Sequence, residues 1–386
     1  MKKICFITSS RADYGLLKNV MRRVDEVDQF ALQVAVTGGH LERRYGHTVD
    51  QIEEDGFEIT ARVSLSMSAD DPPAIVDTMA SAMTGFAAAF AEMKPDMVFV
   101  LGDRHEILAA TLAAFISGIP IAHHSGGDVT TGAYDDAMRH CITKSAQYHF
   151  VSCEASRRRV LQMGEDSNRV FLVGGLGIEN MLNQPFLSRQ ELQRDLDFTF
   201  AAKNLLLTFH PETMSPLLPE AQIRNLLSAL NRFPNIGLII TAPNHDKGSF
   251  QIVEEIEQFV EQRENACFVT SLGELRYHSV ARLVDGVVGN SSSGICEIPS
   301  LKTGVVNIGD RQNGREQASC IINCENDDTA IAEAIEKLFA PSFLQQINDT
   351  INPYDHGLAS ASIVNILRKV PIEPKSNKGF VDLVVV

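Results

Sequence analysis

Serine, histidine, arginine and aspartate side chains gather in this sequence just after short apolar runs, and the densest group lies in its last third. Gly289-Asn290-Ser291-Ser292-Ser293-Gly294 follows the run Leu283–Val288 and leads into Ile295, Cys296 and Glu297, which read as the first turn of a helix. Three hydroxyls and a row of amide N–H groups at a helix start suit an anion, above all a phosphate. A second run, Gly304–Ile308, ends in Gly309-Asp310-Arg311, and Arg311 and Arg315 offer guanidinium contacts to oxygens. An ordinary serine-rich helix cap has the same composition. The Gly-Lys-Ser/Thr ending of a P-loop is absent, so a nucleoside triphosphatase is not indicated.

Other groups could move protons. Asp103 and Arg104 end the run Met97–Leu101 and read as a structural ion pair or as an acid beside a phosphate contact. Because polar strand ends recur, the functional interpretation is favoured. His40, in Thr37-Gly38-Gly39-His40, is a ligand contact or a cap. The stretch His123-His124-Ser125-Gly126-Gly127-Asp128 precedes Asp135, Asp136, Arg139 and His140, and polar groups this dense on a loop point to a site. A metal held by His123, His124, Asp128 and His140 is disfavoured, because adjacent histidines on an extended segment face opposite ways. His210, in Phe209-His210-Pro211-Glu212, can exchange protons or bind phosphate near neutral pH. Asn244 follows another run, in Pro243-Asn244-His245-Asp246. Arg11 follows the first run, and no Gly-x-Gly-x-x-Gly turn accompanies it, so a nicotinamide cofactor is not indicated.

The elements that must position these residues alternate between strand and helix, the mark of parallel sheets wrapped by helices in an α/β fold. Strands are expected at Ile4–Thr8, Leu32–Thr37, Met97–Leu101, Ile119–His123, Tyr148–Ser152 and Val170–Val173. The pattern restarts with Leu205–Phe209, Gly237–Thr241, Cys267–Thr270, Leu283–Val288, Gly304–Ile308 and Ser319–Ile322. The less regular stretch Gly174–Asn204 suggests domains at 1–185 and 186–371, with a tail at 372–386 that is an added strand or an interface arm. Ile75, Met79, Met83, Phe86, Phe90 and Met93 recur at helical spacing as a core face or a subunit interface. The 386 residues carry a net charge of -15, which argues against nucleic acid or an anionic membrane as partner. Seven cysteines without regular spacing make no disulfide framework and fit a reducing cytoplasm. No signal peptide is evident, and no run approaches the ~20 apolar residues of a membrane span.

Taken in order, these motifs resemble one family, the hydrolysing UDP-N-acetylhexosamine 2-epimerases. The likeness rests on Arg11-Ala12-Asp13-Tyr14, Gly39-His40-Leu41, Tyr45-Gly46-x-Thr48 and Lys94-Pro95-Asp96. It continues with Gly102-Asp103-Arg104, His123-x-x-Gly126-Gly127, Asp135-Asp136-x-x-Arg139-His140, Phe209-His210-Pro211, Gly289-Asn290-Ser291-Ser292-x-Gly294 and Arg311-Gln312-x-Gly314-Arg315-Glu316. The resemblance implies two Rossmann-like domains facing across a cleft, the GT-B arrangement. It implies loss of UDP from C1 with removal of the C2 proton, then hydration to a free sugar inverted at C2. UDP-N-acetylglucosamine would give N-acetylmannosamine, and UDP-2,4-diacetamido-2,4,6-trideoxyglucose is the alternative substrate. No cofactor and no metal are implied, and a homodimer or homotetramer is expected.

The resemblance sets Asp103, Asp135 and His210 as catalytic groups, and Arg11, His40, Arg104, Asn244, Ser291, Ser292 and Arg311 as substrate contacts, with Glu297 against the ribose hydroxyls. Where some relatives carry a glutamate this chain has Ser125, so Ser125 and Asp128 enter as a second acid or a sugar contact. A glycosyltransferase, a silent UDP-sugar binder and a non-hydrolysing epimerase share the same framework.

Overall fold

A computed structural model describes residues 1–386 except 44–45, 68–70, 131–134, 213–214, 244–247, 374–377 and 383–386. The chain forms two compact units: Met1–Val129, Ala133–Asn180 and His356–Val386 in one, and Met181–Asp355 with Thr130–Gly132 in the other.

Runs of Val, Ile, Leu and Phe without polar interruption stay extended only when both faces are covered, the situation of a parallel sheet. In the first unit β1 (Lys2–Thr8), β2 (Phe30–Thr37), β3 (Ala61–Val63), β4 (Met97–Leu101), β5 (Ile121–His124), β6 (Tyr148–Val151) and β7 (Val170–Leu172) pair in parallel, in the order β3-β2-β1-β4-β5-β6-β7. Alternate residues serve opposite faces: Ile4 and Phe6 enter one core while Cys5 and Ile7 enter the other. The order reverses between β1 and β4, so the carboxyl ends of those strands flank the crevice where such sheets bind ligands.

The second unit repeats the plan. Its strands β8 (Asn204–Thr208), β9 (Gly237–Thr241), β10 (Ala266–Val269), β11 (Gly286–Gly289), β12 (Gly304–Ile308) and β13 (Ile321–Cys324) pair in parallel, in the order β10-β9-β8-β11-β12-β13. Leu205 and Leu207 pack on one side and Leu206 on the other. Here the order reverses between β8 and β11. Both sheets are thus doubly wound, flanked by helices, as the α/β reading expects.

Several expectations need correction. Strand β3 has only three residues and no readable periodicity, so it escaped the sequence pattern. Leu283 ends the helix Gly273–Leu283, and β11 begins only at Gly286. The last strand runs from Ile321, because the Cys320 amide is drawn to the Thr350 hydroxyl at 3.0 Å instead. The stretch after Gly174 holds two helices, Leu176–Asn183 and Arg189–Leu196, the second opened by a Ser188/Glu191 capping box.

The helix Pro72–Met93 buries Ala74, Thr78, Ala82, Phe86, Phe90 and Met93, so Ile75, Met79 and Met83 lie on its flank. This 22-residue helix is also long and apolar enough to cross a membrane by composition, contrary to expectation. In this fold its buried face covers sheet one.

The C-terminal division differs as well. Helix Ala359–Leu367 lies in unit one, where Ala359, Ile363, Val364, Leu367 and Ile372 join the core beside Leu17, Val20 and Val24. The described part of the tail is a strap, not a strand. Lys378 Nζ donates to the carbonyls of Lys144 at 2.6 Å and Ala146 at 2.5 Å, the Val381 amide donates to Gly164 O at 3.0 Å, and Phe380 covers Gly164. Glu165, nearly fully buried, holds Lys144, Lys378 and His149 at 2.7, 2.7 and 2.9 Å. Burial pulls its proton affinity up, but the hydrogen bonds from these three outweigh that and bring it to about 2.

Candidate active site

At the carboxyl end of β1, Ser10 caps the helix Arg11–Asp25 and shares a capping box with Asp13. Asp13 turns back to the strand end, accepting from the Ser9 hydroxyl at 2.8 Å and from the Thr8 hydroxyl. Burial raises its proton affinity, yet hydrogen bonds from His40, Thr8 and Ser9 win and hold it below the ordinary carboxylate range. His40 is fully buried, its Nε2 2.9 Å from the Thr8 hydroxyl and its Nδ1 2.8 Å from that of Thr48. His40 therefore welds the ends of β1 and β2 to the next turn. Arg11, in the first helical turn, is exposed.

Beyond β4, Asp103 accepts from Arg139 Nη2, a guanidinium almost wholly buried. Arg139 also donates to Asp128 O at 2.6 Å. Arg104 Nε donates to the fully buried Glu106 at 2.5 Å. Burial weakens the Arg104 charge, but Glu106, then Asp13 and Asp135, more than restore it. Asp135 opens the helix Asp135–Ser145. Its proton affinity is raised, first by burial and then by the negative charge of Asp103, against the pull of Arg104, His105 and Arg139. One carboxylate held by a guanidinium thus lies in the field of a second whose proton affinity is raised, so the two environments differ.

The loop after β5 is built by close packing. A side chain at Gly127, whose φ is +77°, would stand 2.3 Å from Ser156 O, so the chain there needs glycine. The Asp128 carboxylate accepts from the Ser152 and Ser156 hydroxyls, both at 2.6 Å, and so anchors the loop. Ser125 takes a left-handed φ of +65°, with its hydroxyl 2.8 Å from His124 Nδ1. His123 Nε2 donates to Gly102 O at 2.8 Å, and burial lowers its pKa to about 3. Of the set His123, His124, Asp128 and His140, His123 and Asp128 hold the loop by these contacts, His124 Nδ1 meets Ser125, and His140 Nε2 stands 3.4 Å from Asp136.

In unit two the hub is Asn290, fully buried at the end of β11. Its Oδ1 accepts the His210 amide at 2.7 Å and its Nδ2 donates to His210 O at 2.8 Å, continuing the β8·β11 ladder by one side chain. Arg311 Nη1 and Gln312 Nε2 donate to Asn290 O at 3.1 and 2.8 Å. Glu212 accepts the Asp310 and Arg311 amides at 3.0 and 3.2 Å and pins the following loop. His210 is buried near Arg311, and burial, then that charge, lowers its pKa to about 3. Gly289, with φ of +142°, lies against β8: a side chain there would stand 1.9 Å from Thr208 O.

The helix after the loop starts earlier than expected. It spans Ser292–Cys296 with Ser291 as N-cap, and Glu297 closes it. Ser291 and Ser292 thus stand at its head. Glu297 accepts from Ser293 at 2.7 Å. Burial opposes its charge, but the His278 and Ser293 hydrogen bonds keep it below the usual range.

Each unit therefore brings its expected residues to one sheet edge: Arg11, His40, Asp103, Arg104, Ser125, Asp128 and Asp135 in the first, His210, Ser291, Ser292, Glu297 and Arg311 in the second. Asn244 lies outside the described residues. Sequence reasoning missed Glu106, Asn290 as a hub, Glu212 and His278. Asn290 and Glu212 stood inside the quoted motifs, while nothing marks Glu106 or His278 among ordinary helix residues.

Two doubly wound sheets, each with polar groups beyond its switch point, make the kind of framework on which nucleotide ligands bind. More narrowly, the chain belongs to the UDP-N-acetylglucosamine 2-epimerase family, whose model matches residues 22–368. It is 35% identical over 384 residues, 99% of both chains, to the GDP/UDP-N,N'-diacetylbacillosamine 2-epimerase (hydrolyzing) of Campylobacter jejuni. It is 34% identical to the polysialic acid biosynthesis protein P7 of Escherichia coli, covering 99% of this chain and 98% of that one. The solved UDP-GlcNAc 2-epimerase of Neisseria meningitidis, bound to UDP-GlcNAc, shares the fold with a TM-score of 0.76 at 19% identity, over 95% of this chain and 100% of that one.

Proposed function

We propose that the chain is a hydrolysing 2-epimerase that converts UDP-N-acetylglucosamine and water into N-acetylmannosamine and UDP. The observation that carries this is the pairing of Asp103, tied to Arg139, with Asp135, whose carboxyl holds its proton more firmly than usual. In the proposed course Asp135 takes the C2 proton as the C1–O bond breaks and UDP leaves with the electron pair. The glycal formed has its double bond between C1 and C2. Water then adds its oxygen at C1, and a proton returns to C2 on the opposite face. Asp103, tied to Arg139, adds its negative charge to the burial that makes the Asp135 carboxylate a stronger base.

Arg311, Ser291, Ser292 and the neutral His210 hold the departing diphosphate, and Glu297 the ribose. Arg11, Arg104 and Asn244 are assigned to the substrate with them. Ser125 cannot ionise and Asp128 is engaged by two serines, so the acid–base work falls on Asp103 and Asp135.

A second substrate, UDP-2,4-diacetamido-2,4,6-trideoxyglucose, is favoured by the name of the Campylobacter relative at 35% identity. Proton NMR of each UDP-sugar turned over in deuterated water tests both. Free sugar inverted at C2 and carrying deuterium there is expected, and a product still linked to UDP overturns the proposal. The sugar with the higher kcat/KM is the substrate. The proposal includes a cytoplasmic setting, suited to seven free cysteines, and a homodimer or homotetramer. A second copy is assigned to the outer side of the helix Pro72–Met93, where Val76 is 63% exposed. Light scattering that reads a monomer removes that part.

A further inference from the structure

Both contacts of the Glu297 carboxylate fall on one oxygen. Oε2 accepts the Ser293 hydroxyl at 2.7 Å and lies 3.4 Å from His278 Nε2. Among the described residues no hydrogen bond or ion pair falls on Oε1. A carboxylate only accepts, so His278 Nε2 carries the proton. In the neutral ring Nδ1 is then an acceptor, and Gln184 Nε2 stands 2.7 Å away as its donor. The result is a directed chain from Gln184, just past the helix Leu176–Asn183, through His278 on the helix Gly273–Leu283, to Glu297. His278 is 4% exposed, and with both ring nitrogens engaged its imidazole has no freedom to turn. Its separation of 3.4 Å from Glu297 lies at the long end of hydrogen-bonding reach.

We propose that Gln184 and His278 are positioning residues that hold Glu297 by Oε2 and so present Oε1 to the hydroxyls of the nucleotide ribose. The inference rests on the reading that UDP binds in unit two. Hydrogen bonds between an ionised carboxylate and a diol are strong and directional, so a carboxylate aimed in advance gains affinity by losing less freedom on binding. A histidine serving only to fill the core would need neither the Gln184 donor nor a carboxylate partner.

The test is calorimetric binding of UDP, 2′-deoxy-UDP and 3′-deoxy-UDP to the wild type and to His278→Leu, His278→Gln and Gln184→Leu. Wild type is expected to prefer UDP over the weaker deoxy analogue by about tenfold or more, the loss of one hydrogen bond to a charged group. His278→Leu should weaken UDP by about tenfold while leaving that analogue unchanged, so that the preference falls towards one. His278→Gln, which keeps a donor, should retain part of the preference. Gln184→Leu should move in the same direction by less, and its half-buried position keeps the test open if His278→Leu does not fold.

In turnover, KM should rise with kcat within about twofold, the mark of lost uniform binding. Equal weakening of UDP and both analogues, or an unchanged preference, overturns the relay. A wild type that does not bind UDP overturns the nucleotide reading and the relay together.

Discussion

Asp135 sits where folding does not want a charge. Its pKa is raised above 3.8 by burial and by Asp103, so folding disfavours the ionised form. The sign follows from linkage: the cost is present at neutral pH and vanishes below the ordinary carboxylate range, where both states are protonated. Asp135→Asn is therefore expected to raise the melting temperature at pH 7 and to change it little near pH 3, while turnover falls by about 10²–10⁴-fold, the usual worth of a positioned acid or base. A variant that melts lower at pH 7 contradicts this assignment. Asp103→Asn should act in the opposite sense, because it takes a charge from the buried Arg139 guanidinium. A loss of about 1–3 kcal/mol is expected in chemical denaturation.

At the scale of the element, the nucleotide loop depends on one backbone position. A methyl group at Gly289 meets the carbonyl of β8, which no rotamer change can relieve, in addition to a φ of +142°. Gly289→Ala should destabilise unit two by at least the ~1–3 kcal/mol typical of backbone strain and abolish UDP binding. Unchanged UDP affinity in calorimetry would refute it. Lys378 caps the C-terminal carbonyls of the helix that begins at Asp135. Lys378→Met should lower the melting temperature and also reduce kcat, since it loosens the support of Asp135; a stability loss with kcat intact would separate the strap from the site.

The sequence carries its information unevenly at this scale. Strands β8, β9 and β12 are legible because their Leu, Ile and Val runs end abruptly in polar residues. Strand β3 was not, since three residues hold no period. The stripe on the helix Pro72–Met93 is legible at Phe86, Phe90 and Met93, whereas in the first turns Ala74, Thr78 and Ala82 are the buried positions and Ile75, Met79 and Met83 lie beside them. Asp128 looked like an acid in the sequence because nothing there reveals Ser152 and Ser156, which are close only in space.

For the molecule as a whole, buried histidines make folding stability depend on pH between neutrality and about pH 4.5. His123, His124 and His210 have pKa values lowered to about 3, 4 and 3, whereas in the unfolded chain each takes up a proton near 6.5. As pH falls below 6.5 the unfolded state gains protons that the folded state refuses, so each contributes a loss of ~1.4 kcal/mol per pH unit down to about pH 4. Urea denaturation between pH 7 and 4.5 should show stability dropping steeply, and the triple exchange of these histidines for glutamine should flatten the slope. A slope left unchanged would mean that these rings accept protons in the folded state.

The return of the C-terminal helix Ala359–Leu367 to unit one also governs how the chain comes off the ribosome. Unit two is almost one continuous stretch and is complete before the last helix emerges, whereas unit one lacks part of its core until then. Its nascent form, with Leu17, Val20 and Val24 awaiting Ile363 and Leu367, exposes an apolar face throughout synthesis and invites a chaperone. The second unit should fold first although its sequence comes later, and a fragment ending at Asn180 should aggregate where one spanning Met181–Asp355 stays folded.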